Sequence, residues 1–345
     1  MFRGCYTALV TPFKEDGSVD YEGIERLMEF QVSQGVSGVL SVGTTGESPT
    51  LSWEEHDLVT ERVCKAAGGR CTTIAGTGSN STAEALRATE HAAKVGAQAV
   101  LLVDPYYNGP SSLEIRREYI GPIAEGFPEI SVIPYVIPGR TGTQLLPEDL
   151  AILHREHPNV RAVKEATGDL ENMRRTRELC GEDFVILSGD DDKTFPMMTD
   201  PAIGAAGVIS VASNVAPKAV QLMADLVLEG RVEEAEKVRD ALQPLFGIVT
   251  VKTQESTQYG HVTCRARNPL AIKTLMRILG IPSGPCRRPL GKMTRKGLEV
   301  VLEAARKVWR ENAWVLEPVG EFFGVDVGER LHDEGCWEGL YYEAY

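Results

Sequence analysis

Short apolar runs rich in β-branched residues alternate with longer helical patterns from the start of the chain to about residue 230. The runs predict eight strands, at 4–10, 37–43, 72–76, 98–103, 130–135, 160–164, 184–189 and 207–211. Between the runs, apolar residues recur at spacings of three and four, as in Ile24, Leu27 and Met28, which is typical of amphipathic helices. Strands that alternate with helices pair in parallel, and strands apolar on both faces are covered on both sides. The pattern therefore predicts a (β/α)8 TIM barrel.

A doubly wound parallel sheet is the rival fold. It commonly has fewer strands, and it often carries a glycine-rich phosphate loop. The sequence contains neither G-x-G-x-x-G nor G-x-x-x-x-G-K-[ST]. Both observations favour the closed barrel.

After residue 214 the pattern becomes wholly helical, with helices predicted at 215–228, 232–246, 270–279 and 296–309. The last part of the chain is rich in aromatic residues, which argues against simple disorder. We therefore expect three parts: a catalytic barrel at 1–229, a C-terminal helical domain at 230–310 and an aromatic-rich extension at 311–345.

The overall composition is that of an ordinary globular protein. Of the 345 residues, 43% are hydrophobic and 25% are charged, and no apolar run approaches the roughly 18 residues that a membrane span needs. The first residues show no export signal, so the expected location is the cytoplasm. The seven cysteines are scattered singly, without zinc-like spacing, and are expected to be free thiols with no metal site.

The net charge of −13 gives long-range repulsion toward polyanions. No stretch of Lys and Arg is dense enough for a phosphate-backbone footprint, so nucleic acid is excluded as a partner. An anionic substrate must be held by a local cation against this field. Individual Arg and Lys residues are therefore candidates for binding such a substrate.

The chemistry of a barrel lies at the C-terminal ends of its strands. Lys164 closes the sixth predicted strand, where desolvation lowers a lysine pKa and frees the amine as a nucleophile. Tyr135 closes the fifth strand and is a candidate proton relay, extended by Thr44 and Tyr107. The alternatives are a strand-end lysine that reaches to water and an ordinary barrel aromatic.

Two further features suit a small carboxylate. Gly43 and Gly46 flank two threonines, so that the turn presents hydroxyls and backbone N–H groups together. Arg140, after the fifth strand, offers a planar fork that matches a carboxylate. A plain turn and a solvated arginine are the alternatives.

Taken together, these segments resemble the dihydrodipicolinate synthase and N-acetylneuraminate lyase family. The matching stretches are GCYTALVTPF, SVGTTGESPTL, IAGTGSN, PYYNGPS, PYVIPGRTG, VKEATGDL, LSGDDD and GVISVASN. They occur in family order and cover about residues 1–290.

The resemblance implies that Lys164 forms an imine with pyruvate and that the derived enamine attacks the aldehyde of L-aspartate 4-semialdehyde. No metal or organic cofactor is implied. The resemblance assigns roles by position: Tyr135, Thr44 and Tyr107 as the proton relay, Thr45 with the backbone at Gly189 and Ile209 at the pyruvate end, and Arg140 at the acceptor carboxylate.

The resemblance also implies assembly and regulation. Tyr107 would enter from a neighbouring subunit, which requires a homo-oligomer, expected to be a tetramer built as a dimer of dimers. L-Lysine is expected as a feedback inhibitor at the tight dimer interface. The corresponding positions are Ser48, Pro49, Trp53, His56, Asn80, Glu84 and Tyr106.

Several alternatives stay open. Sialic acid lyases usually carry Gly-Ser-Thr-Gly and lack an arginine at the position of Arg140, so this sequence favours the synthase branch. Sugar-acid aldolases share the imine chemistry, and a non-catalytic barrel that binds a small molecule is a further reading. Three departures from the family pattern stand out: Val136 replaces an asparagine, the loop at 190–200 is longer than usual, which makes the placement of Ile209 less secure, and the extension has no counterpart in the usual bacterial enzyme.

Overall fold

A computed structural model describes residues 2–345 and contains a closed, parallel, eight-stranded barrel. Neighbouring strands pair in chain order, and the last pairs with the first. The barrel strands are β1 (Gly4–Ala8), β2 (Gly38–Ser41), β3 (Thr72–Gly76), β4 (Ala99–Val103), β5 (Ser131–Val136), β6 (Ala162–Glu165), β7 (Val185–Ser188) and β8 (Gly207–Ser210). Each overlaps its predicted run, and the barrel prediction is confirmed.

Helices follow the barrel strands, and further helices come after the last of these strands. They are α1 (Tyr21–Ser33), α2 (Trp53–Ala67), α3 (Thr82–Lys94), α4 (Ser112–Glu114), α5 (Gly121–Gly126), α6 (Pro138–Thr141), α7 (Pro147–Glu156), α8 (Leu170–Cys180), α9 (Thr194–Thr199), α10 (Pro217–Leu228), α11 (Val232–Gly247), α12 (Leu270–Ile278), α13 (Arg295–Asn312), α14 (Glu317–Phe323) and α15 (Val327–Arg330). A π-helical turn, Ile115–Ile120, joins α4 to α5, and 3-10 turns occur at Ser48–Thr50, Asp191–Lys193, Ala212–Asn214, Ala313–Val315 and Glu334–Cys336.

Alternation along the strands divides the core into two layers. On β5, Ile133 and Tyr135 belong to the cluster that fills the barrel interior. Val132 and Val136 belong instead to the layer between the barrel and its helices, with Leu150 of α7. The valine that replaces the family's usual asparagine thus packs outside the catalytic interior.

The prediction of a wholly helical segment after residue 214 is wrong between α11 and α12. There the chain forms an antiparallel hairpin of β9 (Thr250–Thr257) and β10 (Gly260–Arg267). Thr recurs along β9, and burial alternates along both strands, a period-two pattern typical of half-buried strands. The four predicted helices themselves correspond to α10, α11, α12 and α13.

The aromatic-rich extension folds back onto the body of the molecule. Phe323 of α14 packs on Phe30 of α1, with ring centroids 5.1 Å apart. A short strand β12 (Tyr341–Tyr342) pairs with β11 (Met293–Thr294). One apolar cluster runs from barrel strands through α10 to α13 and into the extension. The three-part division of the chain stays a prediction.

None of the helices within residues 2–345 combines the length and apolar character that crossing a bilayer requires. Over the same residues, no group of three or more His, Cys, Asp or Glu side chains is placed to hold a metal ion.

Candidate active site

Lys164 lies at the end of β6 with its side chain in the barrel interior. It is 5% exposed, and its Nζ is 4.2 Å from the centroid of the Tyr135 ring on the neighbouring strand. Burial lowers the pKa of Lys164 to about 8, although the carboxylates of Asp190 and Asp191 oppose the shift. Burial disfavours the ammonium form, so this lysine is predisposed to act as a neutral amine. The alternative, in which the Lys164 side chain extends into solvent, does not describe this buried side chain.

Tyr135 is buried beside the lysine. Burial raises the pKa of its phenol to about 12, while Arg140 and the Thr44 hydroxyl act in the opposite direction. The phenol therefore keeps its proton at neutral pH and can donate it to a neighbouring group. Thr44 and Tyr135 line one cavity together, as the relay interpretation expects.

Gly189 follows β7 at a point where no side chain fits. A Cβ there would lie 2.8 Å from the Cβ of Ala166 and 3.1 Å from the Cε of Lys164. Glycine lets this backbone approach the lysine closely. Ile209 is buried on β8 in the barrel interior. The long loop before it contains the 3-10 turn Asp191–Lys193 and α9.

Asn268 joins the two predicted carboxylate-binding groups, and the sequence interpretation missed its role. Its side-chain Nδ2 donates to the Thr45 hydroxyl at 3.0 Å, and its backbone carbonyl accepts from Arg140 Nη2 at 3.2 Å. Its Oδ1 is buried without a hydrogen-bond partner among the described residues. The sequence motifs do not identify this residue, because its position beside Thr45 depends on a contact 223 residues away in the chain.

A buried ion pair holds the turn that carries Thr44 and Thr45 in place. Lys273 of α12 donates to Glu47 at 2.7 Å, and both side chains are inaccessible to solvent. Lys273 also donates to the backbone carbonyls of Thr11 and Pro285. This network connects α12 to the loop after β2.

A cavity of about 210 Å³ opens between Tyr135, Arg140 and Thr44. Its wall continues to Ser48, Pro49 and Tyr106, three of the positions predicted for lysine binding. Lys164 lies outside this wall, in contact with the Tyr135 ring. Thr44 and Tyr135 thus share one opening with three of the positions predicted for lysine binding.

The other predicted lysine-binding residues lie on α2, α3 and the loop between β3 and α3. The ring centroids of Trp53 and His56 are 5.0 Å apart. Burial lowers the pKa of His56 to about 4, so the imidazole is neutral at physiological pH. The Arg87 guanidinium stacks on Trp53 at 4.7 Å, on the aromatic ring that was expected to pack along a ligand. Glu84 accepts a hydrogen bond from Ser79, and Asn80 is exposed.

Tyr107 stands apart from the other predicted catalytic residues. It is 93% exposed, and it holds a left-handed backbone conformation with φ of 78°. Such a conformation is uncommon for a residue with a side chain and is worth a functional explanation. Within one subunit, Tyr107 does not line the cavity that contains Tyr135.

The model of the dihydrodipicolinate synthetase family matches residues 1–307. The chain belongs to the dihydrodipicolinate synthetase family. The resemblance inferred from the motifs is therefore confirmed, and the family covers the barrel, the hairpin and most of α13, leaving the extension outside.

Named relatives in the family agree in activity. A 4-hydroxy-tetrahydrodipicolinate synthase of Sulfurihydrogenibium sp. (strain YO3AOP1) is 44% identical over 308 residues, which cover 89% of this chain and 98% of the relative. The crystal structure of dihydrodipicolinate synthase from Aquifex aeolicus is 38% identical, with a TM-score of 0.81 over 92% of this chain and 100% of that one. The DHDPS from Cyanidioschyzon merolae, solved with lysine bound, is 36% identical, with a TM-score of 0.81 over 89% of this chain and 98% of that one.

Proposed function

We propose that this chain catalyses the Schiff-base condensation of pyruvate with L-aspartate 4-semialdehyde, the synthase activity for which its relatives are named. The observation that carries the proposal is the buried Lys164 amine, with a lowered pKa, packed on the Tyr135 ring. A neutral amine beside a protonated phenol is the pair that imine formation needs.

The chemistry follows from these two groups. The Lys164 amine adds to the ketone carbon of pyruvate, and loss of water gives the imine. Loss of a methyl proton converts the imine to an enamine, whose carbon forms the new bond to the aldehyde carbon. The amino group of the acceptor then attacks the imine carbon and displaces Lys164, which regenerates the free amine. Tyr135, with Thr44, moves the protons that the first and last steps require.

The two substrate carboxylates take different positions. Thr45, with the backbone at Gly189 and Ile209, holds the pyruvate end deep in the barrel. Arg140 binds the acceptor carboxylate at the mouth, because its guanidinium keeps four of its five N–H donors after the bond to Asn268. No step requires a metal or an organic cofactor.

The experiment is a condensation assay with the purified protein. Pyruvate with L-aspartate 4-semialdehyde should give a cyclic dicarboxylate product, while pyruvate with N-acetylmannosamine or a sugar-acid aldehyde gives none. Turnover of the sugar aldehydes at a comparable rate would assign the chain to another branch of the family. Absence of turnover with every acceptor would favour a non-catalytic binding barrel.

Tyr107 is proposed to complete the relay of a neighbouring subunit, in a tetramer built as a dimer of dimers. Its exposure and its constrained backbone support this role, since within one subunit it meets no catalytic partner. Light scattering should show an oligomer, and Tyr107→Phe should lower turnover. A fully active monomer contradicts the shared site.

L-Lysine is proposed as the regulator, bound where Ser48, Pro49 and Tyr106 continue the cavity wall. Glu84 is exposed beside Tyr106, whose phenol pKa is raised by burial and by the Glu84 charge, and it can neutralise an α-ammonium group. Neutral His56 can accept from an ε-ammonium group.

A lysine titration tests this assignment. Wild-type turnover should fall cooperatively and incompletely, and Glu84→Thr should remove the inhibition without changing uninhibited turnover. Glu90 is an exposed residue on the same helix, α3, and Glu90→Thr is the control. Lysine should still inhibit this variant. Full wild-type activity at millimolar lysine contradicts the regulatory role.

A further inference from the structure

The β9–β10 hairpin has two chemically different faces. One face carries Val251 and Glu255, which are buried against the body of the molecule. The opposite face is exposed and carries Lys252 and Arg265, which are direct cross-strand partners. Arg267 follows two residues after Arg265, so it lies on the same face, at the C-terminal end of β10 next to the loop that carries Arg140.

The cations of this face lack acidic partners. Among residues 2–345, none of Lys252, Arg265 and Arg267 has a carboxylate oxygen within 4.0 Å, and the same holds for Arg140. The protein as a whole has a net charge of −13, so carboxylates are abundant elsewhere on its surface. Arg140 lines the cavity, and Arg267 lies next to the loop that carries it, so these two unpaired cations are placed to bind an anion.

Two hydrogen bonds join Arg267 and Asn268 to the loop that carries Arg140. Arg267 Nη2 donates to the backbone carbonyl of Gly139 at 3.1 Å, and Arg140 Nη2 donates to the backbone carbonyl of Asn268 at 3.2 Å. Each guanidinium uses one N–H in this exchange and keeps the others free. These bonds place the Arg267 and Arg140 segments side by side. Burial lowers the pKa of Arg140, and the like charges of Arg267 and Arg265 lower it further.

We propose that Arg267 is a specificity-determining residue that binds the acceptor carboxylate together with Arg140. The hairpin brings a second planar guanidinium to the mouth of the barrel, and two such groups can hold the two oxygens of one carboxylate. The enzyme thereby selects aldehydes that carry a carboxylate over neutral aldehydes of the same length.

This inference rests on the proposed Schiff-base function, and two ligands of equal chain length separate the two. Succinate semialdehyde carries a carboxylate, whereas butanal does not. Each is measured as a competitive inhibitor against L-aspartate 4-semialdehyde, with wild type and with Arg267→Gln. Borohydride trapping of pyruvate on each protein reports Schiff-base formation separately.

Arg267→Gln should raise the KM for L-aspartate 4-semialdehyde and the inhibition constant of succinate semialdehyde by about tenfold, since a charge-assisted bond is lost. The inhibition constant of butanal, the KM for pyruvate and the yield of trapped adduct should change less than about twofold. Arg267→Lys should recover part of the loss, because it keeps the charge without the planar fork. Lys252→Gln, an exposed cation farther along the same face, is the matched control and should behave as wild type.

Equal losses for succinate semialdehyde and butanal would mean that Arg267 only holds the Gly139 loop, and the proposal would be wrong. The same conclusion follows from an unchanged KM for the acceptor, or from an equal loss in Lys252→Gln. Failure of wild-type trapping with pyruvate would instead overturn the Schiff-base function itself, and the inference with it.

Discussion

A lysine acts as a nucleophile at neutral pH only when part of it is uncharged, and the surroundings of Lys164 achieve this. With a pKa of about 8, about a tenth of the amine is neutral at pH 7, against about 0.03% for an unperturbed lysine. Burial is responsible, and the negative charges of Asp190 and Asp191 hold the shift back. The sequence gives the position of this lysine at a strand end, whereas the size of the shift depends on groups from β7 and its loop.

The influence of Asp190 leads to a prediction about pH. The rate of imine formation should rise with pH through about 8, because only the neutral amine attacks. Asp190→Asn removes a charge that favours the ammonium form, so the rise should move to lower pH. Single-turnover trapping with pyruvate across pH 6 to about 9 measures it. Asp183→Asn, at an exposed position just before β7 and absent from the groups that act on Lys164, should leave the profile in place. An unshifted profile in Asp190→Asn contradicts the electrostatic account.

Residues brought together from distant parts of the chain were the hardest to predict at this scale. The motifs identified Lys164, Tyr135, Thr44 and Arg140, which lie at strand ends or in the loops that follow them. Asn268 was missed because its contact with Thr45 crosses most of the chain. Arg267 was missed for a related reason, since its segment was expected to be helical.

Among the elements, the hairpin and α12 show how parts outside the barrel shape the site. Period-two alternation in β9 and β10 was present in the sequence, but no glycine-rich two-residue turn marked the hairpin. The helices α10 to α13 were predictable because long apolar periodicity is a strong signal. What α12 does for the barrel was not, since Lys273 reaches Glu47 only in the folded chain.

This ion pair supports a prediction about stability. Lys273→Met leaves Glu47 buried without its cation and should lower the free energy of unfolding by about 3–5 kcal/mol. The double variant Glu47→Gln/Lys273→Met removes both charges and should recover part of that loss. Chemical denaturation of both variants decides the matter. Additive losses in the double variant would show that the two residues act independently.

Across the whole molecule, the extension is the part that the family does not explain. Its aromatic content correctly indicated order, but the surface it covers could not be read from the sequence. The structure places Phe323 on Phe30 and Trp337 beside the Arg306 guanidinium at 5.3 Å. The barrel was predictable at this scale because eight repeats of strand and helix leave few alternative folds. The extension makes a single set of contacts, so no repeated pattern in the sequence indicates where it packs.

The docking of the extension can be tested with one aromatic pair. Phe323 is 8% exposed, so Phe323→Ala should lower the free energy of unfolding by about 3 kcal/mol through lost burial and a cavity against α1. Tyr345 is 69% exposed, and Tyr345→Ala should leave stability within about 0.5 kcal/mol of wild type. Denaturant unfolding measures both. Equal stabilities would show that the extension contributes nothing to the fold.

The most direct test of the whole account is covalent trapping at Lys164. Incubation with pyruvate followed by borohydride should attach one reduced pyruvyl group per chain, and peptide mapping should place it on Lys164. The adduct should be absent without pyruvate and absent in Lys164→Met. An adduct on any other lysine, or none in the folded wild-type protein, would contradict the Schiff-base mechanism.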